Sequence, residues 1–172
     1  RSIFLKNNGD ETFTDVATET NTEFNSSAWC ANFLDADNDG SQDLYVSGSL
    51  IGFPQFLSGA FYLNDGNGLY SIPFDSGFES IQASSFVNAY GDINNDGFPD
   101  IYVGNDFFEN DYLYINQKDK TFKEVISNDR TKLGHTSHYS MGNSVTDLNN
   151  DGEMDIISLD MLHENLKTYK TS

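Results

Sequence analysis

A nine-residue phrase occurs three times in the chain: Asp35-Ala36-Asp37-Asn38-Asp39-Gly40-Ser41-Gln42-Asp43, Asp92-Ile93-Asn94-Asn95-Asp96-Gly97-Phe98-Pro99-Asp100 and Asp147-Leu148-Asn149-Asn150-Asp151-Gly152-Glu153-Met154-Asp155. Each copy runs into an apolar, strand-like stretch: Leu44-Tyr45-Val46, Ile101-Tyr102-Val103 and Ile156-Ile157. Oxygen-bearing side chains at positions 1, 3, 5 and 9, with glycine at 6 for a sharp turn, suit a hard cation that takes many oxygen ligands. Three or four carboxylates converging within a few ångströms would repel one another strongly without a cation among them. The expectation is three Ca²⁺ sites.

Position 12 ranks the calcium loops. An EF-hand needs a bidentate Glu there and a helix on each side. Here the position holds Val46, Val103 and Ser158, and the flanks are β-branched and aromatic rather than helix-periodic. Asp43, Asp100 and Asp155 must therefore close the sites from position 9. An ordinary polar turn needs one Gly and one Asx, not four ligands at fixed offsets. Position 7 varies freely as Ser41, Phe98 and Glu153, as expected of a residue that offers only its backbone carbonyl.

Spacing turns the motif into an architecture. The first ligand recurs at 35, 92 and 147, a period in the range of propellers and solenoids. Between the loops lies a second repeated phrase, Phe4 to Phe13, which aligns without gaps to Phe61 to Tyr70 and to Leu113 to Phe122. Each reads as strand, Asn/Gly-rich turn, strand. One full unit is thus four antiparallel strands, the content of one propeller blade. The predicted class is all-β: a half-blade over 1–18, blades over about 29–73 and 86–126, and a half-blade over about 141–158. Three blades' worth of strands is too few for the usual closed ring. The chain is therefore expected to be part of a longer protein, or a module that closes with a second copy as a strand-exchanged homodimer of six blades.

Composition bounds the partners. Net charge is −18, and the three loops alone hold ten aspartates; three Ca²⁺ would leave about −12. An acidic surface disfavours nucleic acid and anionic membranes, and no apolar run approaches the length of a membrane span. The single Cys30 has no partner within the chain and sits among Trp29 and Ala31, so it is read as a buried structural thiol. Trp29, Phe86 and Met141 each stand six residues before a loop and are expected to fill the space between blades. Asn88 and Asn143 stand four before it, and are expected to bond neighbouring backbone. In Gly134-His135-Thr136-Ser137-His138-Tyr139 the two imidazoles are at i and i+3, poor geometry for one metal on a strand, so a polar loop is expected. Met161 to Lys167 is read as a short helix or a linker.

These phrases resemble the FG-GAP (VCBS-type) repeats of integrin α-subunit propellers and their bacterial relatives. The likeness covers nearly the whole chain. Asn7 to Val16, and His135-Thr136-Ser137 followed by Ser140-Met141-Gly142 and the third loop, look like bacterial repeat proteins carrying an ASPIC/UnbV domain. The resemblance implies metal ligands Asp35, Asp37, Asp39, Ser41 and Asp43; Asp92, Asn94, Asp96, Phe98 and Asp100; and Asp147, Asn149, Asp151, Glu153 and Asp155. It implies calcium loops joining the first two strands of each blade. It further implies an extracellular, cell-surface or periplasmic module for adhesion, or for binding a protein or a carbohydrate. A calcium-stabilised propeller within a polysaccharide-active lyase or hydrolase is the alternative. A lyase needs a base in a cleft, and the chain offers only nine Lys and Arg besides the His135/His138 loop.

Overall fold

The computed structural model describes residues 1–24, 27–49, 59–78, 83–106, 109–127 and 129–161. The segment read as a short helix or linker lies, from Leu162 onward, outside them. Among the described residues twelve strands and one short helix follow in order: β1 Leu5–Asn7, β2 Phe13–Asp15, β3 Ser27–Leu34, β4 Asp43–Ser49, β5 Gly59–Asn64, β6 Tyr70–Ser71, β7 Ser85–Gly91, β8 Asp100–Asn105, β9 Tyr112–Asn116, β10 Phe122–Glu124, α1 Arg130–Leu133, β11 Ser140–Thr146 and β12 Asp155–Asp160. The fold is all-β, as expected: four-stranded antiparallel sheets forming part of a β-propeller. The helix, a single turn after β10, is an element the strand periodicity did not announce.

Every sheet is an antiparallel meander. β3-β4-β5-β6 form one sheet and β7-β8-β9-β10 another; β1-β2 and β11-β12 are two-stranded. The registers of the two large sheets coincide once the repeats are aligned. Leu44 faces Tyr62 and Tyr45 faces Phe61 in the first, as Ile101 faces Tyr114 and Tyr102 faces Leu113 in the second. A β-bulge near the start of β3, β7 and β11 recurs in all three loop-bearing strand pairs.

Alternation along the strands sends side chains to opposite sheet faces, and each face of the two large sheets meets a neighbouring sheet. Three apolar clusters result. Leu44, Val46, Tyr62 and Tyr70 of the first large sheet pack with Phe24 and against Phe4 of the β1-β2 hairpin. On its other face Tyr45 and Phe61 meet Ile101, Val103, Tyr114 and Phe122 of the second, around Phe78. The second sheet's far face carries Tyr102 and Leu113, with Val145 and Ile156 of β11-β12 packed against them. Phe78 binds the central layer together, its ring 4.4 Å from Tyr114 and 4.9 Å from Tyr45.

Close approach of the inner strands is set by a glycine. A Cβ on Gly104 would fall 2.5 to 2.7 Å from Asn143, Ser140 and Val87, so no larger residue fits between β8 and β11. Polar groups tie the same layer: Asn32 donates to the Asn88 carbonyl at 2.8 Å, and Asn88 to Ser47 Oγ at 3.1 Å. Asn143, with its amide oriented to suit its neighbours, accepts from Gly104 N–H at 3.1 Å. Trp29 stacks on Phe86 across the first interface, centroids 4.3 Å apart. Neither Trp29 nor Met141 fills a core, however. Both remain substantially exposed, because the bulges place them at the strand entries, at the rim of the sheets. Cys30 is half-buried rather than enclosed.

Asp111 is a fully buried carboxylate at the second interface. It accepts from Tyr102 Oη at 2.6 Å, Asn105 N–H at 2.8 Å and Ser140 Oγ at 3.0 Å. Burial pushes its carboxyl above the usual range despite these donors. Tyr102→Phe removes one donor from a buried acceptor and is expected to cost about 1–3 kcal/mol. A urea titration reads this as a lower midpoint at unchanged m.

Candidate metal centres

The three loops are one structure built three times. Position 1 accepts at one carboxylate oxygen from the N–H of position 5 and at the other from the N–H of position 6. In the first loop these are Asp39 and Gly40 on Asp35, at 3.0 and 3.0 Å. The second loop has Asp96 and Gly97 on Asp92, both at 2.8 Å. In the third, Asp151 and Gly152 bond Asp147 at 3.1 and 2.8 Å. Position 3 accepts from the same position-5 N–H through Asp37, Asn94 and Asn149. Position 5 accepts from the N–H of position 7: Ser41, Phe98 and Glu153. The turn needs left-handed backbone at positions 4 and 6. Asn38, Asn95 and Asn150 have φ of 58°, 56° and 60°, and Gly40, Gly97 and Gly152 have 88°, 90° and 92°. Asn tolerates that region and Gly occupies it freely, which is why these types recur.

The backbone N–H groups thus hold the carboxylates facing one another. In the first loop, carboxylate oxygens of Asp35, Asp37 and Asp39 all lie within 4.8 Å of one another. An all-oxygen cluster of this kind is what a hard divalent cation takes. Loops two and three have Asn at position 3, whose Nδ2 points to the position-5 carboxylate: Asn94 to Asp96 at 3.0 Å and Asn149 to Asp151 at 2.9 Å. Lysines of the β9-β10 turn reach two loops. Lys118 Nζ lies 3.4 Å from Asp96, and Lys120 Nζ lies 3.1 Å from Asp37 of the preceding loop.

Position 9 has a different setting. Asp43 and Asp100 are buried, and each spans the loop and the third strand of its sheet. Asp43 Oδ2 accepts from Ala36 N–H at 2.9 Å and its Oδ1 from Asn64 N–H at 2.8 Å. Asp100 does the same with Ile93 at 3.0 Å and Asn116 at 2.9 Å. Asp43 stands apart from the tight Asp35/Asp37/Asp39 group but feels the charges of Asp37 and Asp39; burial first, then those charges, pushes its carboxyl up to about 6. Burial likewise raises Asp100. Asp147 and Asp151 are held below the usual range, chiefly by the N–H groups of Gly152 and Glu153. Asp155 keeps the loop bond, from Leu148 N–H at 3.0 Å.

Two sets of asparagines matter that the reading of ligand positions passed over. Asn64 and Asn116, at the end of the third strand, also donate side-chain Nδ2 to the position-8 carbonyls of Gln42 and Pro99, at 3.0 and 3.2 Å. At position 4, Asn38 Nδ2 donates to the Gly97 carbonyl at 2.9 Å, and Asn95 Nδ2 to the Gly152 carbonyl at 3.3 Å. The first loop is therefore tied to the second, and the second to the third. Both signals were visible as Asn repeated at one offset in every unit. His135 and His138 lie with ring centroids 6.0 Å apart, on the connection between α1 and β11. They do not converge with the loop carboxylates.

Comparison with known proteins agrees with this construction. Residues 92–158 match the FG-GAP-like repeat. No curated protein matches the sequence. Among solved structures the chain is similar to a lectin from Agrocybe aegerita, studied for its specific recognition of non-reducing terminal N-acetylglucosamine. Identity is 22%, the TM-score is 0.51, and the match covers 91% of this chain. The chain spans 40% of that structure's length. At this identity the likeness speaks to fold. The match over residues 92–158 supports an FG-GAP-type repeat there, built within β-propeller blades, and the same loop phrase and hydrogen-bond pattern recur at 35–43.

Proposed function

We propose that the chain is a calcium-stabilised β-propeller module that binds a carbohydrate outside the cytoplasm. The observation that carries the metal half is the same set of backbone bonds orienting position-1, -3 and -5 oxygens in all three loops. Asp35, Asp37, Asp39 and Asp43 would hold the first ion with the Ser41 carbonyl. Asp92, Asn94, Asp96 and Asp100 with the Phe98 carbonyl would hold the second. The third would take Asp147, Asn149, Asp151 and Asp155 with the Glu153 carbonyl. Bound Ca²⁺ would neutralise the converging carboxylates and lock each loop between the first two strands of its sheet. The role is structural, leaving the propeller faces for a ligand.

The carbohydrate half rests on kinship of fold with a lectin and on an acidic surface, which suits neutral glycans better than polyanions. A glycan array probed with the chain in calcium buffer tests it, and the expected result is retention on N-acetylglucosamine-terminated glycans. A folded, calcium-loaded chain that binds no glycan overturns the carbohydrate reading while leaving the metal reading intact. Polysaccharides incubated with the chain in parallel are expected to keep their length; their cleavage would overturn the reading as a non-catalytic binding module.

A further inference from the structure

We infer that the β9-β10 turn is a tethered counter-ion for the first two loops. The ammoniums of Lys120 and Lys118 hold the loop carboxylates when no divalent cation is bound, and compete with that cation when it arrives. The role rests on the calcium reading above and names what tunes two of the three sites. The turn lies between the two loops and is fastened to both. Asn116 Nδ2 donates to the Ala36 carbonyl of the first loop at 2.8 Å and to the Pro99 carbonyl of the second at 3.2 Å. From that anchor the two lysines diverge. Lys120 Nζ reaches back to Asp37 at 3.1 Å, a carboxylate on the neighbouring sheet's loop whose side chain is only 9% exposed. Lys118 Nζ lies 3.4 Å from Asp96 Oδ2 and donates to the Asp96 carbonyl at 3.3 Å.

Backbone conformation gives an independent reason for the role. The three hairpins share one turn: Asn7, Asn64 and Asn116 each accept through Oδ1 from the N–H two residues on, at 2.8, 3.0 and 2.8 Å. That second position is left-handed, with φ of 84° at Gly9 and 80° at Gly66. The β9-β10 turn puts Lys118 there at 66°, and Lys120 follows at 73° where the β5-β6 turn has Gly68 at 87°. A residue with a Cβ is strained in this region and glycine is not. Strain of this kind persists where the side chain is needed, and here two lysines carry it in one turn, each with its charge at a different loop. The loops match their turns in the same way. Phe98 at position 7 places its ring centroid 5.4 Å from Lys118 Nζ, a cation–π contact. The first loop has Ser41 at position 7 against Gly66, where a Cβ would lie 3.5 Å from Ser41 Oγ.

An ammonium and a divalent cation repel each other at such distances, so Lys120 leaves Asp37 as an ion enters the first loop, and Lys118 leaves Asp96 in the second. The side chains of Lys118 and Lys120 are 47% and 53% exposed, so both can swing into water without unpacking the turn, whose Asn116 anchor takes no part in the exchange. The lysines therefore stabilise the metal-free loops and lower their affinity for the ion by the same interaction. Lys120 acts across the boundary between the two large sheets, so filling the first loop releases a contact made by the second sheet's hairpin.

Calcium titrations followed by the NMR amide signals of Gly40, Gly97 and Gly152 test the proposal loop by loop, because each of these N–H groups donates to its own loop's position-1 carboxylate. Lys120→Gln removes the charge and keeps a polar side chain. It is expected to lower the midpoint at Gly40 about three- to fivefold and to leave Gly97 and Gly152 nearly unchanged. Lys118→Gln is expected to do the same at Gly97 alone. Lys120→Arg and Lys118→Arg keep the charge and are expected to keep the wild-type midpoints. In excess chelator each Gln variant is expected to melt below wild type, and in saturating calcium together with it. Midpoints that the Gln variants leave unchanged overturn the proposal while the calcium reading stands. Equal shifts at all three glycines overturn it too, since they report net charge rather than a local contact. Glycine signals that ignore calcium in wild type and variants alike overturn the calcium reading, and this role with it.

Discussion

Chelating calcium is expected to lower the melting temperature more than any single exposed-surface substitution would. Each loop gathers carboxylates that N–H groups hold in place, with the oxygens of Asp35, Asp37 and Asp39 within 4.8 Å. Without a cation that geometry stores like-charge repulsion, only partly relieved by Lys118 and Lys120. Binding to the folded state alone stabilises by about 2.7 kcal/mol per site at ~100-fold saturation. For a chain of this size that is roughly 5–11 °C per site. Differential scanning calorimetry with Ca²⁺ and with excess chelator measures it, and magnesium serves as the control for simple charge screening. If the transition does not move on chelation, the assignment of all three loops fails together, because they share one geometry.

The parts of this structure that were legible from the sequence are those written more than once. The nine-residue loop and the Asn/Gly-rich hairpin recur with their flanking apolar strands, so repetition separates signal from chance and gives the all-β, bladed class. Within each repeat the oxygen-bearing positions that the loop turns toward one another could be read because oxygen types recur at fixed offsets. The position-4 and third-strand asparagines were equally repeated. Their role was hidden because their acceptors lie in another unit: Asn38 reaches 59 residues along the chain to Gly97. The Asp111, Tyr102 and Ser140 network occurs once and joins residues 29 apart, so no period exposes it. Trp29 shows the opposite failure. Hydrophobicity and a repeated position suggested that it fills the space between blades; the ring does stack on Phe86 of the next sheet, but at the bulged strand entry it stays exposed. α1 is four residues long, too short for helical periodicity to register.

Asp100→Ala is expected to be the most damaging substitution in the loops, and far worse than the equivalent Asp155→Ala. Asp100 is buried and satisfies two backbone donors, Ile93 in the loop and Asn116 in β9. Truncation strands both inside the sheet at about 1–3 kcal/mol each, and it removes a ligand as well. Among the described residues Asp155 serves Leu148 N–H alone, at a more open position, where water replaces the lost acceptor. Measuring both variants in excess chelator isolates the hydrogen-bond effect from the metal effect. Acidity then supplies a second discriminator. Burial raises the carboxyl of Asp100, so its ionised form is disfavoured in the metal-free fold. The stability it contributes is complete below the unfolded-state pKa and declines as pH rises through the raised folded value. In chelator, the gap between wild type and Asp100→Ala is therefore expected to be widest at acid pH, below the ordinary carboxylate pKa, and to narrow as pH rises. With calcium present the ionised form is the ligand, and the gap should instead widen as pH rises, since protons and metal compete for the same oxygens. Equal losses from Asp100→Ala and Asp155→Ala in chelator would mean that the clamp between loop and third strand does not contribute to stability.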